Sequence, residues 1–169
     1  MTTAGVRDVI AGYARGASVL REAGVDGVEI HGAHGYLITQ FLSPLSNLRD
    51  DEYGGDFERR LNFPLQITEA IRAEVGRDFT VGMRISGDEM TQDGFTSEDF
   101  VRMVPYLTAN DQLDYLSVSV GIYRSKDTII APMYYPGGAF VYLAAMAKEV
   151  LDIPVFCIGR INDPVMAEQ

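Results

Sequence analysis

Four short β-favouring runs, each preceded by a segment with helical spacing, constrain this chain more than any other feature. The runs lie at about 26–31, 80–86, 114–121 and 154–158. Before the first, Val6, Val9, Ile10, Tyr13, Ala17 and Leu20 recur on one face of residues 3–23, and Gly24 stands where a C′ glycine would end that helix. Before the second, Phe57 and Leu61 lead to Pro64, which is expected to open a fresh helix carrying Ile67, Ile71 and Val75. Before the third, Thr96 caps a helix bearing Phe100, Val104 and Leu107, with a kink or early end expected at Pro105. Before the fourth, Phe140, Leu143, Ala144, Ala147 and Leu151 share a face. Asp163-Pro164 then opens a last helix. Apolar strands alternating with helices form a parallel sheet, because joining parallel neighbours takes a crossover long enough to hold a helix. The fold class is therefore α/β.

The loops that leave the C-terminal ends of such strands are where chemistry collects. The loop after the first strand carries His31, His34 and Tyr36, with Gly32 and Gly35 allowing a sharp turn. Beyond it, Gln40 to Pro44 and then Asn47, Arg49, Asp51, Tyr53, Gly54, Gly55 and Glu58 are too polar and glycine-rich for a core element. This stretch is expected to be a long ordered loop over the site, held by its own hydrogen bonds and ion pairs.

The blocks HGAHGYL, QFLSP, N-x-R-x-D-x-YGG and E-x-R, in that order, resemble the NADH:flavin oxidoreductases of the Old Yellow Enzyme family. The resemblance runs from about residue 17 to the C-terminus. Pro132, Pro136, Gly137 and Phe140 lean towards the branch of dienoyl-CoA reductases, enoate reductases and trimethylamine dehydrogenase. It implies strands four to seven of a (β/α)8 barrel. A complete barrel takes roughly 250 residues, so the 169 residues are expected to form one partial FMN-binding TIM-barrel domain that is inactive in isolation. Arg59 and Asn62 depart from the family pattern, which has asparagine and arginine respectively at these positions.

Each candidate residue has a plain reading and a functional one. A lone histidine is most often a cap or a surface residue. Here the only two in the chain share a strand end with a phenol. By resemblance, His31 and His34 donate hydrogen bonds to the acceptor oxygen of the substrate, and Tyr36 protonates its Cα while hydride reaches Cβ. A phenol suits that step, because its ordinary pKa near 10 keeps it protonated at neutral pH. Arg84, inside an apolar strand, is either half of a structural ion pair or a ligand-binding cation. By resemblance it contacts the flavin. Gly159 and Arg160 match a strand end that contributes to the FMN phosphate site. The implied cofactors are FMN with NAD(P)H as reductant, and an iron–sulfur cluster could belong only to a part beyond the C-terminus.

Composition narrows the partners. A net charge of −10 without a Lys/Arg cluster argues against nucleic acid and anionic membrane. The single cysteine, Cys157, reads as a buried strand residue. With no leader and no long apolar run, a cytoplasmic protein is expected. The expected partner is a small molecule with an activated alkene, and oligomers are possible. Three rivals stand beside alkene reduction: an amine-dehydrogenase-type flavoenzyme of the same family, a metal-dependent TIM-barrel hydrolase using His31 and His34 with Asp88 or Glu89, and a noncatalytic remnant.

Overall fold

The structure, a computed structural model, describes residues 1–168. Four parallel strands lie side by side in chain order: β1 (Gly27–Gly32), β2 (Thr80–Ser86), β3 (Tyr115–Ser119) and β4 (Val155–Cys157). Helices α1 (Thr3–Glu22), α3 (Phe57–Val75), α4 (Ser97–Leu107) and α6 (Val141–Val150) precede them, and α7 (Pro164–Ala167) follows. The N-terminal caps follow from local chemistry. Thr2 accepts from the Gly5 amide, and Thr96 and Asp99 form a reciprocal capping box.

Alternation along the strands separates two faces. Ile30, Val81, Met83, Ile85, Leu116 and Val118 are buried under the helices with Val6, Ile67, Ile71, Phe100, Val104 and Leu143. The opposite face carries Glu29, His31, Gly82, Arg84, Ser86, Tyr115, Ser117, Ser119 and Phe156. Its register places His31 beside Arg84 and Arg84 beside Ser117, while Ser86 lies beside Ser119. Gly82 lets the Tyr115 ring lie across the sheet there, because a Cβ at this position would meet that ring.

Several expectations need correction. Pro64 does not start a helix but sits inside the single helix α3. Phe63 and Pro64 are both buried there. Pro105 likewise lies within α4, which ends two residues later at Leu107. The polar stretch after β1 is not all loop. Leu37–Leu42 forms α2, with Ile38, Thr39, Phe41 and Leu42 buried. A further short helix, α5 (Lys126–Ile129), interrupts the Tyr- and Pro-rich segment after β3. Cys157 is only half-buried.

The remaining loop is tied together much as its side chains suggest. Asn47 donates to the carbonyls of Phe41 and Tyr53. Arg49 pairs with Asp51 and stacks over Phe41 and Tyr53, its guanidinium carbon 5.5 and 6.0 Å from the two ring centroids. That guanidinium, with the Tyr53 amide and the Thr3 hydroxyl, holds the Asp51 carboxyl down at about 2. The two departures from the family pattern join the network. Arg59 pairs with Asp56, and Asn62 donates to the Glu52 carbonyl at 2.6 Å. Glu58, by contrast, is exposed on the first turn of α3.

Candidate active site

At the C-terminal end of β1 the chain turns through His34, whose φ of 63° is left-handed and uncommon for a residue with a Cβ. Long-range contacts hold this turn. The His34 amide donates to Ser86 Oγ at 3.1 Å, and that hydroxyl donates to the Gly121 carbonyl at 2.9 Å. A bridge between His34 and Ile122 attaches the turn to the loop after β3. The ring is held as well, with Nε2 lying 2.5 Å from Ser119 Oγ.

This geometry brings the three sequence candidates together. The rings of His31 and His34 are 5.2 Å apart between centroids, and those of His31 and Tyr36 are 5.3 Å apart. Tyr36 is 46% exposed. Its hydroxyl lies 2.7 Å from that of Tyr123. This hydrogen bond raises the Tyr36 pKa.

Both imidazoles are biased towards the neutral form. Partial desolvation, followed by the charge of Arg84, lowers the pKa of His31, with Glu29 opposing. Desolvation, then His31 and Arg84, lowers that of His34. A neutral imidazole keeps one N–H to donate and one nitrogen to accept.

Arg84 proves to be an ion-pair partner that still faces the open side of the sheet. Its Nε lies 3.0 Å from Glu29 Oε1 and 3.2 Å from Ser117 Oγ, and its side chain is 36% exposed. Tyr115 donates to the other oxygen of Glu29 at 3.2 Å. No further hydrogen bond occupies the terminal guanidinium nitrogens among the described residues.

Gly159 and Arg160 lie apart from the histidines. They line a pocket of about 240 Å3 with Phe140 and Thr128, while His34, Tyr36, Tyr123 and Lys126 line another of about 220 Å3. Ile129 and Ile130 form the wall common to both. Gly159 has a φ of 135°, a backbone that side chains rarely adopt. Arg160 donates to the Pro132 carbonyl at 2.5 Å.

The hydrolase reading needs ligands beyond the two histidines. Among the described residues no three His, Cys, Asp or Glu side chains gather where they could hold an ion. Asp88 accepts from the Met90 and Ser97 amides. Glu89 is buried against Ser43 and Phe95. Both carboxylates serve loop structure.

Sequence reasoning missed Glu29, Ser117, Ser119, Tyr123 and Lys126. The serines did leave a signal, since polar residues at every second position of an otherwise apolar β3 mark a face lining a site. Tyr123 and Lys126 left none, because their place depends on how the loop after β3 folds back.

Residues 1–169 match the NADH:flavin oxidoreductase / NADH oxidase family. The chain is 41% identical over 164 residues to the N,N-dimethylglycine/sarcosine dehydrogenase of Chromohalobacter salexigens, covering 95% of this chain and 24% of that protein. It is equally 41% identical over 164 residues to an NADH oxidase of Thermoanaerobacter brockii, covering 97% of this chain and 25% of that protein. A solved 2-naphthoyl-CoA reductase complex with 2-naphthoyl-CoA superimposes with a TM-score of 0.93 at 31% identity, over 99% of this chain and 26% of that one. The chain thus spans about a quarter of the length of these relatives. No helix among the described residues is long and apolar enough to cross a membrane. The match along its whole length and the parallel helix-backed sheet place the chain in the NADH:flavin oxidoreductase / NADH oxidase family, of Old Yellow Enzyme type, as part of a TIM barrel.

Proposed function

We propose that residues 1–169 are the substrate-facing part of an FMN-binding domain in an enzyme that uses NAD(P)H to reduce an activated carbon–carbon double bond. The observation that carries this reading is the gathering of His31, His34 and Tyr36 at one strand end, next to the Arg84 guanidinium.

The donor set suits a flavin. The terminal nitrogens of Arg84 would hold the electron-rich edge of its ring system, and a fixed cation there favours the reduced, more negative form. Gly159 and Arg160 would take the phosphate, one through a backbone that can approach closely and the other through a charged fork. Bound FMN would supply hydride exchange between NAD(P)H and the carbon acceptor.

The remaining work falls to side chains of this chain. Ser119 Oγ holds His34 Nε2, and in the tautomer in which the serine donates, the imidazole proton sits on Nδ1 and can hydrogen-bond the acceptor oxygen together with His31. Preorganised neutral donors stabilise the negative charge that develops on that oxygen. Tyr36, a phenol whose pKa its bond to Tyr123 raises further, holds the proton for the carbon next to the activating group.

Replacing Tyr36 with phenylalanine tests the assignment in the flavin-loaded protein. Alkene reduction should slow by roughly 10²–10⁴, the usual worth of a general acid. Flavin reduction by NAD(P)H should be unchanged. Equal loss in both half-reactions would make Tyr36 structural, and stoichiometric zinc in place of flavin would overturn the reading.

A second reading, amine oxidation in the same pocket, is favoured by the likeness to the dimethylglycine/sarcosine dehydrogenase. Stopped-flow reduction of the flavin by sarcosine, against its reoxidation by an enoate, separates the two directions.

A further inference from the structure

Resting on that reading, we propose that Glu29 is the counter-charge that sets how far Arg84 favours reduced flavin. The carboxylate acts through the guanidinium, which makes it a positioning residue rather than a group that touches the cofactor.

The pair is built by register. Glu29 lies beside Gly82 and Gly82 beside Tyr115, while His31, Arg84 and Ser117 form the next row on the same face. Arg84 reaches back diagonally into the first row, where its Nε lies 3.0 Å from Glu29 Oε1. Ser117 Oγ accepts from the same nitrogen at 3.2 Å. Among the described residues, Glu29 is the one carboxylate within ion-pair distance of this guanidinium.

Both oxygens of the carboxylate are held. Neighbouring strands lie about 4.8 Å apart, so Tyr115 must cross the whole of β2 to reach Glu29, roughly 10 Å away. It does so over Gly82, where a Cβ would meet the phenol ring. Its hydroxyl donates to Glu29 Oε2 at 3.2 Å, and Phe156 supports the ring edge to face at 4.9 Å between centroids. Desolvation, followed by the charge and hydrogen bond of Glu29, raises the pKa of this phenol further above neutrality.

An ion pair fixed in this way presents a constant field to whatever lies over the open face. His31 registers both of its charges. After desolvation, Arg84 lowers the His31 pKa and Glu29 raises it. A flavin held by Arg84 would meet the same opposition, because charge beside its ring system tunes its reduction. The guanidinium favours the more negative reduced form and the carboxylate disfavours it, so Glu29 moderates the pull of Arg84.

The test measures the reduction potential of bound FMN by spectroelectrochemical titration. The His31 ring is titrated by NMR in the flavin-free protein, with His34 and Tyr36, the other rings against it, unaltered. Glu29→Gln keeps an acceptor for Arg84 and removes the charge. It should raise the preference for reduced over oxidised flavin roughly 10-fold, which is about 30 mV for a two-electron couple. It should also move the His31 titration to lower pH, and an unmoved titration would count against a charge felt at this face. Glu29→Asp keeps the charge and should restore most of the native potential. Arg84→Met should lower the potential and move the His31 titration to higher pH. If Glu29→Gln leaves the potential unchanged or lowers it while Arg84→Met still lowers it, the Glu29 assignment is overturned and the flavin site stands. If Arg84→Met also leaves the potential unchanged, the reading of Arg84 as a flavin contact falls with it.

Discussion

The hydroxyl oxygens of Tyr36 and Tyr123 lie 2.7 Å apart, although 87 residues separate them in the chain. Their rings meet edge to face at 5.7 Å. The loop after β1 and the loop after β3 are therefore joined at the proposed proton donor. Replacing Tyr123 with phenylalanine keeps the ring contact and removes the hydrogen bond. Because that bond is the main cause of the raised Tyr36 pKa, the phenol should titrate closer to its ordinary value near 10. Ultraviolet difference titration of Tyr123→Phe against a Tyr36→Phe/Tyr123→Phe double variant isolates Tyr36. Alkene reduction should fall by about 10-fold, well short of the loss expected for Tyr36→Phe. An unchanged titration would show that the two hydroxyls do not communicate in solution.

The two histidines give stability a definite pH dependence. Both pKa values are lowered in the folded state, whereas an unfolded chain takes up protons near 6.5. Below that pH the unfolded state binds more protons, so this contribution is present above about 6.5 and is lost as the pH falls. Glu89 works in the opposite sense at lower pH because burial raises its pKa, so the comparison must be made against a variant. A His31→Gln/His34→Asn double variant should show a flatter fall in stability from pH 7 to 5.5, measured by urea denaturation. Asparagine suits position 34 because it tolerates the left-handed backbone found there. Parallel stability profiles for the two proteins would contradict the assignment.

Glu89 is the buried fastening of the site loops. It is 1% exposed and accepts from Ser43 Oγ at 2.6 Å and the Phe95 amide at 2.9 Å. Its own carbonyl accepts from Ser125 Oγ at 2.6 Å. The loops after β1, β2 and β3 thus meet on one residue. Glu89→Ala leaves a buried hydroxyl and a buried amide without their acceptor, which should cost about 2–4 kcal/mol. Glu89→Gln keeps an acceptor oxygen and removes a buried ionisable group, so it should cost less than about 1 kcal/mol. Chemical denaturation orders the two variants, and equal losses would mean that the hydrogen bonds are not what holds the loops.

What the sequence determined by itself is whatever depends on neighbours along the chain. Strand-length apolar runs between helical segments sufficed for four parallel strands, because joining parallel neighbours takes a crossover long enough to hold a helix, while their order side by side came with the family resemblance. His31, His34 and Tyr36 could be grouped because only a few residues separate them. Tertiary structure decided everything that depends on register and burial. Local propensity at Pro64 favours a break, yet α3 continues through it with Pro64 buried. The polar stretch after β1 hides α2, since Ile38, Phe41 and Leu42 become core only once the sheet is there to cover them. Ser119 reaches His34 across 85 residues and Arg84 meets Ser117 across 33. A shift of one residue in the pairing of β2 with β3 would turn those serines to the opposite face. Pairing between strands is set by the packing of both faces together, and no single segment of sequence contains that information.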